Sequence, residues 1–555
     1  MSVINKSENE IILNKNYKVG FADAENDQAF LDQCYLSTGD LDILLNTEDP
    51  RRIIVGRTGT GKTALLNQIV KSQDNVIELP PEVLSISHIS NSNIIAFFEE
   101  VGLKRLEEFY VLLWKHVITV ELLRKKFDIH NEHKQQNFID RIILSANSDK
   151  KKAFNYVKSF GEEFWQETQY RVKEITQNIE RELKSSLGAT HQGVELSAES
   201  AKRLNETQKA EIASTAIKAV DKIQLRELHN IIDWLKDDVF NDSQQKFYLL
   251  IDRLDEDWIL DEQLKYKLIK ALIETVRSFS KIRNVKIIVT IRNDLLDRVV
   301  KNTCGEGFQY EKYESQLLRL RWSEKDLEKL LDIRVRELFR KRYQKNSNIS
   351  LKDIVSDKEI DRVSPIKYIL DRTFYRPREA IMFFNCCLEA ADGNSKITKT
   401  IIQKAEHSYS KSRLQELYTE WGSNYPALKS YLEFFKNKRR QFKFEEVTWQ
   451  EIEQLALSIA CNDNQIEDPS KKYADACYTN ERDSKKLCGE LPYKVFSTLY
   501  ELGFLGIKQS NYEKTRWSYI DDPTISEAEI ISDSLFSIHP AYWLVLGIRP
   551  KSDKH

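Results

Sequence analysis

Eight consecutive residues, Gly56-Arg57-Thr58-Gly59-Thr60-Gly61-Lys62-Thr63, have the types and spacing of a loop that cradles phosphate. Gly56, Gly59 and Gly61 allow backbone N–H groups to approach phosphate oxygens that side chains would hold off, with Arg57, Thr58 and Thr60 completing the wrap. Lys62 is the cation for the β and γ phosphates of a triphosphate, and Thr63 offers a hydroxyl to Mg2+. Ala64 opens the helical pattern ALLNQIV, whose positive N-terminal end faces the anion. The expected cofactors are ATP and Mg2+.

Such a loop needs an acidic partner at the end of a buried strand, and KFYLLIDRLDEDW supplies it. The continuous apolar run before Asp252 is that of a parallel strand buried on both faces, which makes Asp252 the expected magnesium carboxylate. Three and four residues on, Asp255 or Glu256 is positioned to orient and deprotonate a water; the alternative is that this acidic cluster caps the next helix. A second apolar run, KIIVTIRND, ends in Thr290, Ile291 and Arg292, where a cation would face the γ phosphate. Arg376 and Arg378, in Arg376-Pro377-Arg378-Glu379, stand where a lid would reach back over the nucleotide. Surface salt bridges are the alternative for all three arginines.

These residues demand strand, loop and helix in that order, and hence an α/β P-loop NTPase domain with a parallel sheet. Roughly 190 positions separate Lys62 from Asp252, far more than one crossover needs, so a long helical insertion is expected. The chain divides into an N-terminal linker (1–50), an ATPase core (51–93 and 237–320), the insertion (94–236), a helical lid (321–424) and a winged-helix-like α+β domain (425–555). In the insertion, apolar residues repeat at helical spacing and 188–193 interrupts two helices, giving either a protruding hairpin for partner contact or a solvated surface. Ser323 and Asp326 form an approximate capping box at the start of the lid. Near the C-terminus a helix stops at Gly503, a strand begins at Phe504, and 517–520 and 536–538 read as two more strands. The candidate recognition helix, 491–502, carries only Lys494 as a cation, and the basic run 436–440 lies close by; DNA contact and a protein-interaction wing both remain open.

Of the 555 residues, 41% are hydrophobic and 31% charged, enough for packed cores under a charged surface. Lys and Arg total 84 against 86 Asp and Glu, so a net charge of -2 provides no global attraction for nucleic acid or anionic membrane. The N-terminus lacks the pattern of a signal peptide, and no run of about 18 apolar residues occurs. A cytoplasmic protein without membrane contact is expected. Seven cysteines without a C-x-x-C read as reduced thiols, and His130 with His133 lacks further metal ligands at a recognisable spacing.

GRTGTGKT, LLIDRLDE, VTIRND and RPRE together resemble the motifs of the AAA+ superclass, more closely its STAND/NACHT-like signalling branch. The opening GFADAENDQAFLDQCYLSTGDLDILLNTEDPRRIIVG, the segment LWKHVITVE and the ending FSIHPAYWLVLGI are similar to a narrower group of bacterial stand-alone P-loop ATPases, often carried near anti-phage defence genes. Where that family shows Gly or Asp after the first acid, this chain has Arg253. The resemblance implies an ATP-driven switch or assembly ATPase acting with a partner effector. It also implies a homo-oligomer in which Arg292, Arg319, Arg321, Arg376 or Arg378 completes a site. A DNA-dependent ATPase and a nucleotide-binding scaffold with little turnover are the alternatives.

Overall fold

The computed structural model describes residues 11–22, 26–79, 106–127, 201–209, 212, 232–254, 262–303, 311–342, 349–461, 468–479, 484–510 and 512–550. They belong to two compact units. One is Ser37–Thr58 with Lys62–Leu320; the other is Met1–Leu36 with Gly59–Gly61 and Arg321–His555.

The first unit is built on a five-stranded sheet in the order β2-β3-β4-β1-β5. Its strands are β1 (Ile53–Val55), β2 (Val76–Leu79), β3 (Phe247–Ile251), β4 (Val285–Ile291) and β5 (Leu317–Arg319), and every pairing is parallel. All residues of β1, β3 and β4 are buried, as strands covered on both faces must be. Val55 pairs with Ile291 and Ile251 with Val289, so β4 separates β1 from β3 and all three end at a common edge. In open α/β sheets that carboxyl edge is where ligands bind.

Helices α1 (Lys62–Ser72), α2 (Leu106–Phe127), α3 (Glu262–Phe279) and α4 (Asn293–Thr303) accompany the sheet. The reading of 94–236 as an insertion meets the described residues chiefly in α2. There, Tyr110, Leu113, Val117 and Ile118 are buried in the same apolar cluster as the sheet. The Trp114 indole donates to Leu268 O at 2.9 Å, and Lys270 pairs with Glu107 at 2.7 Å, so α2 is locked to α3 as part of the core. The interrupted helices, His130 and His133 lie outside the described residues.

At the opposite end of the sheet, β3, β4 and the residue before β1 serve one helix terminus. The helix Asp40–Leu45 ends in carbonyls without intrahelical donors. Lys286 donates to Ile43 O (2.7 Å) and Asn46 O (2.6 Å), Tyr248 to Leu45 O (2.7 Å), and Arg52 to Thr47 O (3.1 Å). Burial pushes the Lys286 ammonium down to about 7, with Arg52 and Arg51 adding repulsion and Asp49 opposing it. Between about pH 7 and the ordinary lysine value near 10.4, the unfolded chain therefore binds a proton that the folded chain does not. Stability contributed through this group rises with pH across that window. The wild-type urea midpoint is expected to gain on that of Lys286→Met between pH 7 and pH 10; parallel curves for the two proteins would show that Lys286 does not titrate there.

The second unit holds two apolar clusters. Around the first lie α5 (Glu324–Arg342), α6 (Pro377–Ala390) and α7 (Lys399–Trp421), with Leu331, Phe339, Phe384 and Cys387 fully buried. The expected capping box is present: Asp326 N donates to Ser323 Oγ at 3.2 Å, and Ser323 N to Asp326 Oδ2 at 3.4 Å. Of the segment read as a linker, residues 11–22 and 26–36 belong to this unit and help to build this cluster. Leu13 and Val19 are fully buried, Val19 N donates to Asn385 Oδ1 at 2.9 Å, and Asp27 pairs with Arg334 at 2.5 Å. Those anchors are single side chains without periodicity, so pattern alone does not reveal them.

The second cluster contains α8 (Trp449–Ala460), α9 (Ser484–Glu501) and an antiparallel sheet in the order β6-β8-β7, formed by β6 (Gln441–Lys443), β7 (Leu505–Lys508) and β8 (Leu535–Ile538). Gly503, at φ 83°, ends the helix as expected. Two readings need correction. Residues 517–520 form a turn, closed by Ile520 N and Asp521 N on Trp517 O, and the third strand is β6, at the edge of the basic run. Cys477 and Cys488 form a disulfide, where reduced thiols were expected. The packing of the helix Lys471–Ala476 on α9 brings their Cα atoms to 4.9 Å, inside the range for a bridge, without any C-x-x-C.

Candidate nucleotide site

The loop after β1 is shaped first by backbone. Gly56 N still donates to Ile291 O at 3.3 Å, after which the chain leaves the sheet. Gly59 at φ 79° and Gly61 at φ 96° adopt left-handed conformations that a β-carbon disfavours. Lys62 opens α1 and folds back along the loop, its Nζ donating to Gly56 O (3.0 Å) and Arg57 O (3.1 Å). The ammonium thus lies over the start of the loop. Thr63 and Ala64 occupy the first turn of α1, where N–H groups have no intrahelical acceptor and favour an anion. Arg57 and Thr60 are buried, and Thr58 is half-buried.

Asp252 follows β3 directly, and its two oxygens are shared between two hydroxyls. Thr63 donates to Oδ2 at 3.0 Å, and Thr290, from β4, donates to Oδ1. The strand order explains this pair: β4 lies between β1 and β3, so its hydroxyl residue next to the edge meets the acid leaving β3. A role for Thr290 was not read from the sequence, although a hydroxyl one residue before the end of a buried strand was the available signal. Thr63 and Asp252 together offer a hydroxyl and a carboxylate, the hard oxygen donors that suit Mg2+. Among the described residues no cluster of three His, Cys, Asp or Glu forms a metal site. Thr63 and Asp252 would hold Mg2+ together with a nucleotide's own phosphate oxygens, which calls for no such cluster. Arg253 follows at φ 58°, an uncommon conformation for a non-glycine residue.

Arg292, at the end of β4, grips Asp294 with two donors at 3.0 and 3.2 Å, and Asp294 also takes Arg298 at 2.7 Å. Asp255 and Glu256 lie outside the described residues. In the second unit, Arg376 is 3% exposed and pairs with Glu379 (3.4 Å) and Glu420 (3.6 Å); Arg413 joins Glu379 at 3.0 Å. Arg378 sends Nε to Ala22 O at 2.8 Å and its backbone N–H to Gly59 O at 3.4 Å.

Residues 325–418, which span α5 to α7, match a family described as the FunZ-associated C-terminal helical domain. Over 552 residues the chain is 22% identical to an 80.3 kDa protein of Escherichia coli (strain K12) ascribed to transposon gamma-delta, the match covering 97% of this chain and 68% of that protein. Among solved structures it is similar to a Walker-type ATPase of Pyrococcus abyssi, at 12% identity and a TM-score of 0.35, with 92% and 95% of the two chains covered. The parallel sheet, the glycine loop between β1 and α1, and the acid after β3 define an α/β P-loop NTPase fold. Among the described residues no helix is long and apolar enough to cross a membrane.

Proposed function

We propose that this chain is an ATPase of AAA+/STAND type, an ATP-driven switch or assembly factor that works with a partner effector in bacterial anti-phage defence. The observation that carries the ATPase reading is the Thr63–Asp252–Thr290 arrangement beside a glycine loop with Lys62 at its end. Magnesium, when bound, neutralises charge on the β and γ phosphates. The chain's own groups do the rest. Loop and α1 N–H groups bind the phosphates, Lys62 exchanges two carbonyls for phosphate oxygens, and Asp252 with Thr63 holds the metal. Asp255 or Glu256 takes the proton of the attacking water. Arg292, Arg376 and Arg378 are the cations proposed for the γ phosphate, within one copy or between copies of a homo-oligomer. Each would have to exchange a present partner for phosphate: Asp294 for Arg292, Glu379 and Glu420 for Arg376, and Ala22 O for Arg378.

A DNA-dependent ATPase acting through a C-terminal winged helix is the second reading, favoured by the relative ascribed to a transposon. Against it, no residue in 491–500 is exposed, and the basic run is largely engaged. Lys436 pairs with Glu433 (3.0 Å), Lys438 with Glu451 (2.8 Å), and Arg440 lies 3.9 Å from the Trp543 ring centre. Phosphate release with Mg2+, measured with and without duplex DNA, tests the choice. Turnover indifferent to DNA is expected; stimulation of about tenfold or more establishes the DNA reading, and binding without turnover establishes a scaffold.

The same assay assigns the base. Of Asp255→Asn and Glu256→Gln, one is expected to lose about 10² to 10⁴ in rate and the other to remain near wild type. Two fully active variants would remove both residues from the mechanism.

A further inference from the structure

A cradle for phosphate needs peptide N–H groups turned toward the anion, so the carbonyls of those peptides turn outward. A shielded outward carbonyl needs a donor of its own, and that donor then fixes which way the peptide plane faces. The tip of the loop, Gly59–Gly61, belongs to the same compact unit as Arg321–His555, and two of its carbonyls find donors there. The Trp322 indole Nε1 donates to Thr60 O at 2.9 Å, and the Arg378 backbone N–H to Gly59 O at 3.4 Å. The approach is close: a β-carbon on Gly59 would come within 2.8 Å of Arg378 Cβ, and one on Gly61 would come 4.0 Å from the Trp322 ring.

Trp322 is itself well placed. Its ring packs on the apolar cluster of α5 to α7, and it immediately precedes Ser323, whose hydroxyl accepts from Asp326 N in the box that starts α5. An indole N–H donates and never accepts, so it selects one orientation of the Thr60 peptide. We propose that Trp322 is a positioning residue for the phosphate loop, its N–H holding the Thr60 carbonyl outward so that the loop is formed before the triphosphate arrives. This rests on the triphosphate reading of the site and adds a residue to it that no loop motif contains.

Trp322→Phe keeps the apolar ring and removes the donor. Titration calorimetry is expected to show Mg-ATP bound about 3- to 10-fold more weakly, the equivalent of one neutral hydrogen bond. Inorganic tripolyphosphate should lose affinity by the same factor, because the effect acts on the phosphate chain alone. Wild-type affinity in the variant overturns the proposal, as does a loss for ATP that tripolyphosphate does not share. A second measurement reads the hydrogen bond directly. In protein labelled with 15N-tryptophan, the indole resonance that Trp322→Phe removes should lie at a hydrogen-bonded shift before any tripolyphosphate is added, and a free-indole shift there overturns the proposal. If the wild-type protein binds neither ligand, the triphosphate reading itself falls; normal wild-type binding with an indifferent variant removes Trp322 alone.

Discussion

Lys62→Ala is expected to abolish measurable ATP binding. In the structure the Lys62 ammonium sits on Gly56 O and Arg57 O, two neutral acceptors at the base of the loop. Exchange of those carbonyls for phosphate oxygens converts ordinary hydrogen bonds into charge-assisted ones, about twice as strong. Removing one partner from a desolvated charge pair costs about 2 to 5 kcal/mol, or roughly 30- to several-thousand-fold in affinity. The loop itself should survive, because Gly56 N remains on Ile291 O and the glycine conformations do not involve the lysine. Calorimetry with Mg-ATP checks this, and wild-type affinity in the variant would displace the site from the loop.

The second large effect belongs to Asp252→Asn, which is expected to retain nucleotide but lose about 10²-fold or more of turnover. The carboxylate accepts from Thr63 on one oxygen and from Thr290 on the other. An amide can accept on one side only; on the other it presents N–H groups to a hydroxyl that was donating. One threonine must rotate, and the metal loses a full negative charge in its surroundings. Binding and hydrolysis measured separately distinguish this from a folding defect. Hydrolysis within about twofold of wild type, at saturating ATP and Mg2+, would mean that Asp252 is not the metal carboxylate.

The parts of the molecule that were legible in sequence are those where physics leaves few residue choices. Backbone curvature required glycine at 59 and 61, and burial on both faces made β3 a continuous apolar run and β4 one broken by Lys286 and Thr290. Ser323 and Asp326 satisfied a helix start in the only way their spacing allows. Other features were hidden because their determinants are distant in the chain. β6 is three residues long and shows a single buried phenylalanine, so nothing distinguishes Gln441-Phe442-Lys443 from a solvated basic stretch until β8 pairs with it. Residues 517–520 alternate as a strand does, yet the Trp517 carbonyl closes them into a turn. The two hydroxyls on Asp252 come from residues 189 and 38 positions away, which no local pattern records.

The order of the sheet also sets a timetable for biosynthesis. β1 pairs with β4 on one side and β5 on the other, so the strand that carries the glycine loop has neither neighbour when it leaves the ribosome. Its second neighbour follows some 260 residues later, which at about 5 to 20 residues per second is a wait of roughly 13 to 52 s. The N-terminal Leu13 and Val19 wait longer still, since the cluster that buries them closes only with Tyr409. For most of its synthesis, then, the nascent chain displays apolar segments whose partners do not yet exist, and the sheet and the cluster around Leu13 and Val19 close only after those partners emerge.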